Sequence, residues 1–285
     1  MPAKIIWLAS YPKSGNTWMR IFLTNYMRDR DAPADINSSM EGGPIASSRV
    51  WFDEWAGVEA SSLPENIIER LRPEVYRCIA RENEGILFLK AHDAWNLTDS
   101  REPLFPPEIT AGVLYIVRNP LDLVASCAHH WGISLEKATD NLCDSSFVLA
   151  RGGYALADQL TQRLGSWSDH VRSWLSQSTT PVSVTRYEDL LADPQSTFES
   201  VVKFCGLPFD PEKLSQAIAF SDISELKRQE QANGFRERPP TSKGVFFRRG
   251  QANSWRDELP PDLARRIVSV HGDMMQSLGY MCNGI

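Results

Sequence analysis

The chain has 285 residues and a net charge of −6, enough to bury a full α/β core as a single domain over 1–285, and an acidic balance that argues against a nucleic-acid or anionic-membrane surface. Any anion site must then come from local clusters of Lys and Arg. Cys78, Cys127, Cys143, Cys205 and Cys282 are scattered, with no C-x-x-C pair, and no apolar run is long enough for a signal sequence or a bilayer span, so the expectation is a soluble cytoplasmic protein with reduced thiols.

The first stretch, Ile5 to Met27, passes from an apolar run through Tyr11-Pro12-Lys13-Ser14-Gly15-Asn16-Thr17-Trp18 into a segment of helical period. A strand, a tight loop and a helix N-terminus present backbone N–H groups to an anion. Pro12 fixes the chain direction and Gly15 permits close backbone approach. Ser14 and Thr17 offer hydroxyls, and Lys13 adds a point charge. Set against G-x-x-x-x-G-K-[ST], the stretch has Ser10 for the first Gly and Asn16 for the Lys, so the cation has moved upstream to Lys13. A nucleotide triphosphatase also wants an acidic residue at the end of a neighbouring strand. The candidate strands Ile86 to Leu89 and Val113 to Val117 end instead in Lys90 and Arg118.

The loop resembles the 5′-phosphosulfate loop of the cytosolic-type sulfotransferases, YPKSGTTW, with Asn16 the one departure. That resemblance implies 3′-phosphoadenosine 5′-phosphosulfate (PAPS) as co-substrate, the desulfated nucleotide PAP as product, and a sulfuryl group passed to an acceptor hydroxyl or amine. It also implies that Lys13, Ser14, Gly15, Asn16 and Thr17 bind the cofactor. Trp18 alone reads as core filler on a buried helix; the resemblance makes it a platform for adenine.

Asp29 to Ser62 has no periodicity and reads as a long loop, its Trp51, Phe52 and Trp55 open to packing or to an acceptor pocket. Helices are expected from Pro64 to Arg72 and around Glu74 to Asn83. After the strand Ile86 to Leu89, Lys90 and His92 project to one face beyond a carboxyl end, where α/β sheets keep their sites. Lys-x-His resembles the family's K-T-H-L-P segment, with Asp93 and Ala94 in place of Leu-Pro. There the His takes the acceptor's proton and the Lys holds charge on the transferring group.

Val113 to Val117 gives way to Arg118-Asn119-Pro120, with Asn119 as N-cap and Pro120 at the first helical position, a second strand running into a helix N-terminus. The stretch resembles the 3′-phosphate motif R-N-P-K-D-x-x-x-S, with Leu121 for the Lys; Arg118 and Ser126 fall at its binding positions. Ile133 to Gly153 reads as a polar, acceptor-side loop. Tyr154 to Ser176 reads as a helix, its Leu156, Leu160, Leu164, Trp167, Val171 and Trp174 in the core. A strand at Val182 to Thr185 leads to Arg186-Tyr187-Glu188-Asp189, which resembles the family's Y-E-D segment, where the Tyr reaches adenine; core packing is the alternative reading of Tyr187.

Helices follow at Phe198 to Gly206 and Pro211 to Phe220. Ser221 and Ile223 stand at the positions of the family's adenine-side turn, Ile223 replacing an aromatic. The polar stretch Gln231 to Gly244 reads as mobile. It leads to Arg248-Arg249-Gly250 and Trp255, which resemble the R-K-G-x-x-G-x-W lid over the 3′-phosphate. A last helix is expected from Pro261 to Leu278.

The expectation is therefore an α/β fold, a central, mostly parallel sheet flanked by helices, with a P-loop-like phosphosulfate-binding strand, loop and helix. Its expected activity is PAPS-dependent sulfuryl transfer. Lys13 serves the leaving phosphate oxygen, Lys90 the transferring group and His92 the acceptor's proton, without a metal. The expected acceptor is a small molecule of aromatic or bulky form, with a homodimer as one assembly. A metal-dependent kinase or NTPase on a related core, and a non-catalytic nucleotide-binding protein, are the alternatives.

Overall fold

The computed structural model describes residues 2–28, 31–38, 40–41, 43–151, 157–242 and 244–280. Its architecture is α/β, a central parallel sheet with flanking helices. In chain order, β1 (Lys4–Ser10) runs into α1 (Asn16–Met27), and α2 (Arg49–Ala56) and α3 (Glu65–Arg81) precede β2 (Ile86–Ala91). β3 (Thr110–Val117) feeds α4 (Pro120–Trp131) and α5 (Leu135–Cys143). The short strands β4 (Val148–Leu149) and β5 (Gln162–Arg163) come before α6 (Trp167–Ser176) and β6 (Val182–Arg186). Then follow α7 (Tyr187–Ala192), α8 (Pro194–Phe204), α9 (Pro211–Phe220), α10 (Ile223–Asn233), α11 (Trp255–Glu258) and α12 (Pro261–Ser277).

The sheet order is β2-β1-β3-β6. β1 and β2 are parallel, with Ile5 opposite Leu87 and Leu8 opposite Lys90. β1 is buried from Ile5 to Ser10, which is why it is written as a continuous apolar run rather than an alternating one.

The chain groups into two compact units, one of Met1–Tyr11, Gly42–Tyr115 and Ser145–Val184, the other of Pro12–Glu41, Ile116–Asp144 and Thr185–Ile285. In the first, Trp7 is wholly buried, edge-on to Tyr76 of α3 and to Phe105 at 5.1 and 4.8 Å, and its indole N–H donates to Thr110 Oγ1. Phe105 in turn packs on Trp174 of α6. In the second, Phe22 of α1 stacks on Phe198 of α8 with ring centres 3.8 Å apart. A further cluster there joins Ile21, Ile36, Met40, Leu226, Phe235 and Phe247, with Trp18, Ile223 and Phe246 against it.

Several expectations need correcting. The two helices expected either side of Pro73 are one, α3, with Pro73 inside it. Burial of Arg72, Val75 and Tyr76 along one face outweighs the hydrogen bond that proline cannot make. The loop from Asp29 to Ser62 contains α2, which buries Phe52 and is capped by Ser48 Oγ accepting from Trp51 N–H. Ile133 to Gly153 contains α5 and β4. The helix expected from Tyr154 starts at Trp167, where Ser166 caps it; 152–156 lie outside the described residues, and β5 occupies part of the interval. Leu160 and Leu164 are nonetheless core, so the apolar spacing marks buried positions that lie outside the helix. The first part of the polar stretch after Gln231 belongs to α10; Lys243 lies outside the described residues, as does Cys282. The other four cysteines are free thiols. Among the described residues no helix is long and apolar enough to cross a membrane.

Candidate active site

Every residue that the resemblance assigns to the nucleotide lies in the second unit, while Lys90 and His92 lie in the first. The loop before α1 bends through two left-handed residues, Lys13 at φ 70° and Gly15 at φ 108°. Only glycine fits at 15, since a Cβ there would stand 2.7 Å from Cδ2 of Tyr187. α1 has no acidic residue in its first turn and no side-chain cap, so its amide ends are left to attract an anion. Ser14 is buried, and among the described residues its Oγ has no hydrogen-bond partner. Asn16 is buried and Thr17 half-buried.

Tyr187, at the start of α7, is the hub of this unit. Its ring closes on Gly15, lies edge-on to Trp18 with centres 5.6 Å apart, and carries the Arg118 guanidinium 4.3 Å above its centre. Burial raises the Tyr187 phenol, and Arg118 partly offsets that. Trp18 is aimed by its indole N–H, which donates to Ser221 O at 2.8 Å. The Ser221 hydroxyl is itself engaged, donating to Ala217 O and accepting from Asn25 Nδ2.

Arg118 is nearly buried; its Nη2 donates to Gln251 O at 3.1 Å, and its Nε has no partner among the described residues. Asn119 and Pro120 open α4 as expected, with Asn119 Oδ1 accepting from Leu121 N–H. Ser126 is half-buried on the same helix. Lys13 Nζ sits 3.6 Å from the centre of the Phe246 ring. The buried Cys127 thiol, which meets Pro12 O, is pushed up to about 12 by burial although Lys13 and Arg118 both pull it down. One thiol thus feels cations from both phosphate motifs.

Arg248 pairs with Glu258 through both guanidinium nitrogens, and Arg249 Nε lies 3.3 Å from Glu258 Oε1. Gly250, at φ 68°, lets the chain pass over Ile223, whose Cγ1 would be 2.5 Å from a Cβ. Ile223 therefore seats the Arg-Arg-Gly turn by packing.

In the first unit, Lys90 is on β2 and His92 follows it, both half-buried. His92 Nδ1 lies 2.8 Å from Ser10 O. A carbonyl only accepts, so Nδ1 carries the proton and the neutral ring has its lone pair on Nε2, the tautomer a general base needs. Asp93, where the family pattern has Leu, points into the core. Its oxygens take Arg72 Nη1 and Nη2 at 2.9 and 2.7 Å, both side chains buried. Tyr76 OH accepts from Arg72 Nε and donates to Ala46 O. Asp93 thus forms the floor of a cavity of about 310 Å³ that Leu104, Leu160, Arg49 and Arg163 also line.

The sequence profile of the sulfotransferase domain matches residues 4–279. The chain belongs to the sulfotransferase-domain family. This sulfotransferase is 25% identical over 272 residues to Sulfotransferase 2A2 of Rattus norvegicus, covering 94% of the chain and 83% of that protein. Its fold resembles a mouse sulfotransferase crystallised with PAP, at TM-score 0.60 and 18% identity, over 96% of this chain and 85% of that one. It also resembles a retinol dehydratase crystallised with androsterone and PAP, at TM-score 0.61 and 19% identity, over 97% and 82% of the two chains.

Residues that sequence reasoning passed over support these motifs. Asp122 is buried and accepts from Asn253 N–H, Ser254 Oγ and Trp255 N–H at 2.8 to 3.2 Å, tying α4 to the end of the Arg-Arg-Gly segment. Glu230 accepts from the N–H groups of Phe246 and Phe247, which holds the ring beneath Lys13. Glu188 takes Asn119 N–H and Tyr280 OH. An acid in the first turn of α4 was visible in the sequence as a favourable dipole partner; its distant amide donors were not.

Proposed function

We propose that this sulfotransferase uses PAPS and transfers its sulfuryl group to the hydroxyl or amine of a small-molecule acceptor. The observation that carries the nucleotide reading is the Tyr187 ring, which bears on Gly15, Trp18 and Arg118 together and so draws the loop and the 3′-phosphate motif around one point. Partnerless Ser14 Oγ and Arg118 Nε, and an acid-free helix start, fit a polyanion. Lys13 through Thr17 would hold the phosphosulfate, Trp18, Tyr187, Ser221 and Ile223 the adenine side, and Arg118, Ser126, Arg248, Arg249 and Gly250 the 3′-phosphate. The co-substrate supplies an activated sulfuryl group and a phosphate leaving group.

The rest of the chemistry belongs to the chain. His92 Nε2 takes the acceptor's proton, its tautomer fixed through Nδ1 on Ser10 O. Lys90 places positive charge beside the transferring group, and Lys13 beside the leaving oxygen, as in-line transfer demands. No metal is needed for that distribution of charge. One profile runs through both units, which supports a single sulfotransferase domain, and the free thiols support a reducing cytoplasm. A bulky, hydroxyl-bearing acceptor agrees with the androsterone bound by the retinol dehydratase.

Labelled PAPS incubated with the protein and a metabolite extract should yield a sulfated product that identifies the acceptor. Replacing His92 with Ala should lower that transfer by roughly 10²- to 10⁴-fold while PAP binding holds. Unimpaired transfer would reject His92 as base. In thermal shift, PAP should stabilise by a few kcal/mol at saturation; a larger shift with ATP and Mg²⁺ would restore the kinase reading.

A further inference from the structure

His92 and Asp93 are held at more points than a turn after a strand requires. Asp93 Oδ1 and Oδ2 rest on Arg72, Asp93 O accepts from Trp174 Nε1 at 3.1 Å, and His92 O lies 3.0 Å from Nε2 of His170. His170, on α6, is wholly buried, and its Nδ1 lies 2.8 Å from the hydroxyl of Tyr115 on β3. We propose that His170, oriented by Tyr115, is a positioning residue for sulfuryl transfer, gripping the His92 carbonyl so that the His92 ring keeps Nδ1 on Ser10 and presents Nε2 to the acceptor. This rests on His92 being the base.

The hydrogen-bond polarity of the relay is fixed. His92 O can only accept, so His170 Nε2 carries the ring proton, Nδ1 has the lone pair, and Tyr115 donates into it. Burial supports that assignment: it lowers the His170 ring to about 4 and raises the Tyr115 phenol well above its usual range, so neither group changes charge near neutrality. Tyr11 also stands edge-on to the His170 ring, 5.4 Å between centres, and further confines it. With its carbonyl pinned from one side and its ring from the other, His92 has one orientation, and misplacement by about 1 Å can lower turnover on the order of 10²-fold.

A histidine that merely fills space would tolerate either amide of similar shape. Gln puts an N–H where Nε2 stands and can still grip His92 O; Asn reaches only the Nδ1 position and keeps Tyr115 alone. We expect His170→Asn to lower transfer of label from PAPS into the metabolite extract by about tenfold or more, with PAP affinity unchanged. Nitrogen-15 spectra of the same variant should show the His92 ring as a mixture of tautomers. His170→Gln should recover most of the rate and the single tautomer, and His170→Asn should cost nothing further in a His92→Ala background. Equal rates for the Asn and Gln variants, or an unchanged His92 tautomer in the Asn variant, would overturn the proposal. The His92→Ala protein alone separates the two ideas, because undiminished transfer there removes the base reading before His170 is touched.

Discussion

His170 also sets part of the acid limit of the fold. Burial is the main reason its ring titrates at about 4, against an ordinary 6.5, with hydrogen bonds to the backbone of His92 and Asp93 offsetting some of the shift. As pH falls from the ordinary value toward the folded one, the unfolded chain takes up a proton that the folded chain refuses. The stability from this group is complete above about 6.5 and shrinks through that window, by roughly 3 kcal/mol over its whole width. Urea unfolding at neutral and mildly acidic pH should show wild type losing more stability than His170→Gln, which has no titrating ring. Equal losses would mean that the acid sensitivity lies elsewhere.

At the scale of elements, α4 is organised by its first turn. Asn119 caps it, Pro120 starts it, and Asp122 reaches out to hold the turn that begins α11. Replacing Asp122 with Ala strands the buried Trp255 amide and Ser254 hydroxyl, each worth roughly 1–3 kcal/mol when left unpaired, and frees the more exposed Asn253 amide. Calorimetric titration should find PAP affinity lower by about ten- to a hundredfold, since the Arg-Arg-Gly segment loses its tether. An affinity equal to wild type would detach Asp122 from the nucleotide site. Strands running into helix starts were readable because each carries local marks: an apolar run, then Gly15, or Asn119 and Pro120. α2 and α5 were missed because their capping serines, Ser48 and Ser134, sit in polar stretches without strong period. α3 was cut in two because Pro73 is a local stop signal that buried packing overrides. The residues proposed for the nucleotide carry local motifs, whereas the partners of Asp122, Glu230 and His170 lie far along the chain and no single window of sequence displays them.

At the scale of the molecule, Arg72 and Asp93 form the most deeply buried ion pair among the described residues. Burial disfavours the Arg72 charge and Asp93 restores it, with Tyr76 adding a hydrogen bond and its own phenol raised to about 12. Asp93→Leu, which installs the residue of the family pattern, should leave an uncompensated buried guanidinium and destabilise the chain by roughly 3–5 kcal/mol. For a chain of this size that is a fall in melting temperature of roughly 5–8 °C. Adding Arg72→Met should restore most of it, because an apolar pair of similar volume is often as stable. Failure of the double variant to recover would show that the pair serves more than charge balance.

Lys13 adopts a left-handed backbone at φ 70°, a conformation in which an unbranched L-residue is disfavoured by about 1 kcal/mol relative to glycine. Lys13→Gly should therefore leave the melting temperature unchanged or higher while removing the ammonium proposed to serve the leaving oxygen, and labelled transfer from PAPS should fall. On that proposed role, selection for thermal robustness and selection for turnover push this position in opposite directions, and a stability screen run without an activity readout would enrich inactive enzyme at its first loop.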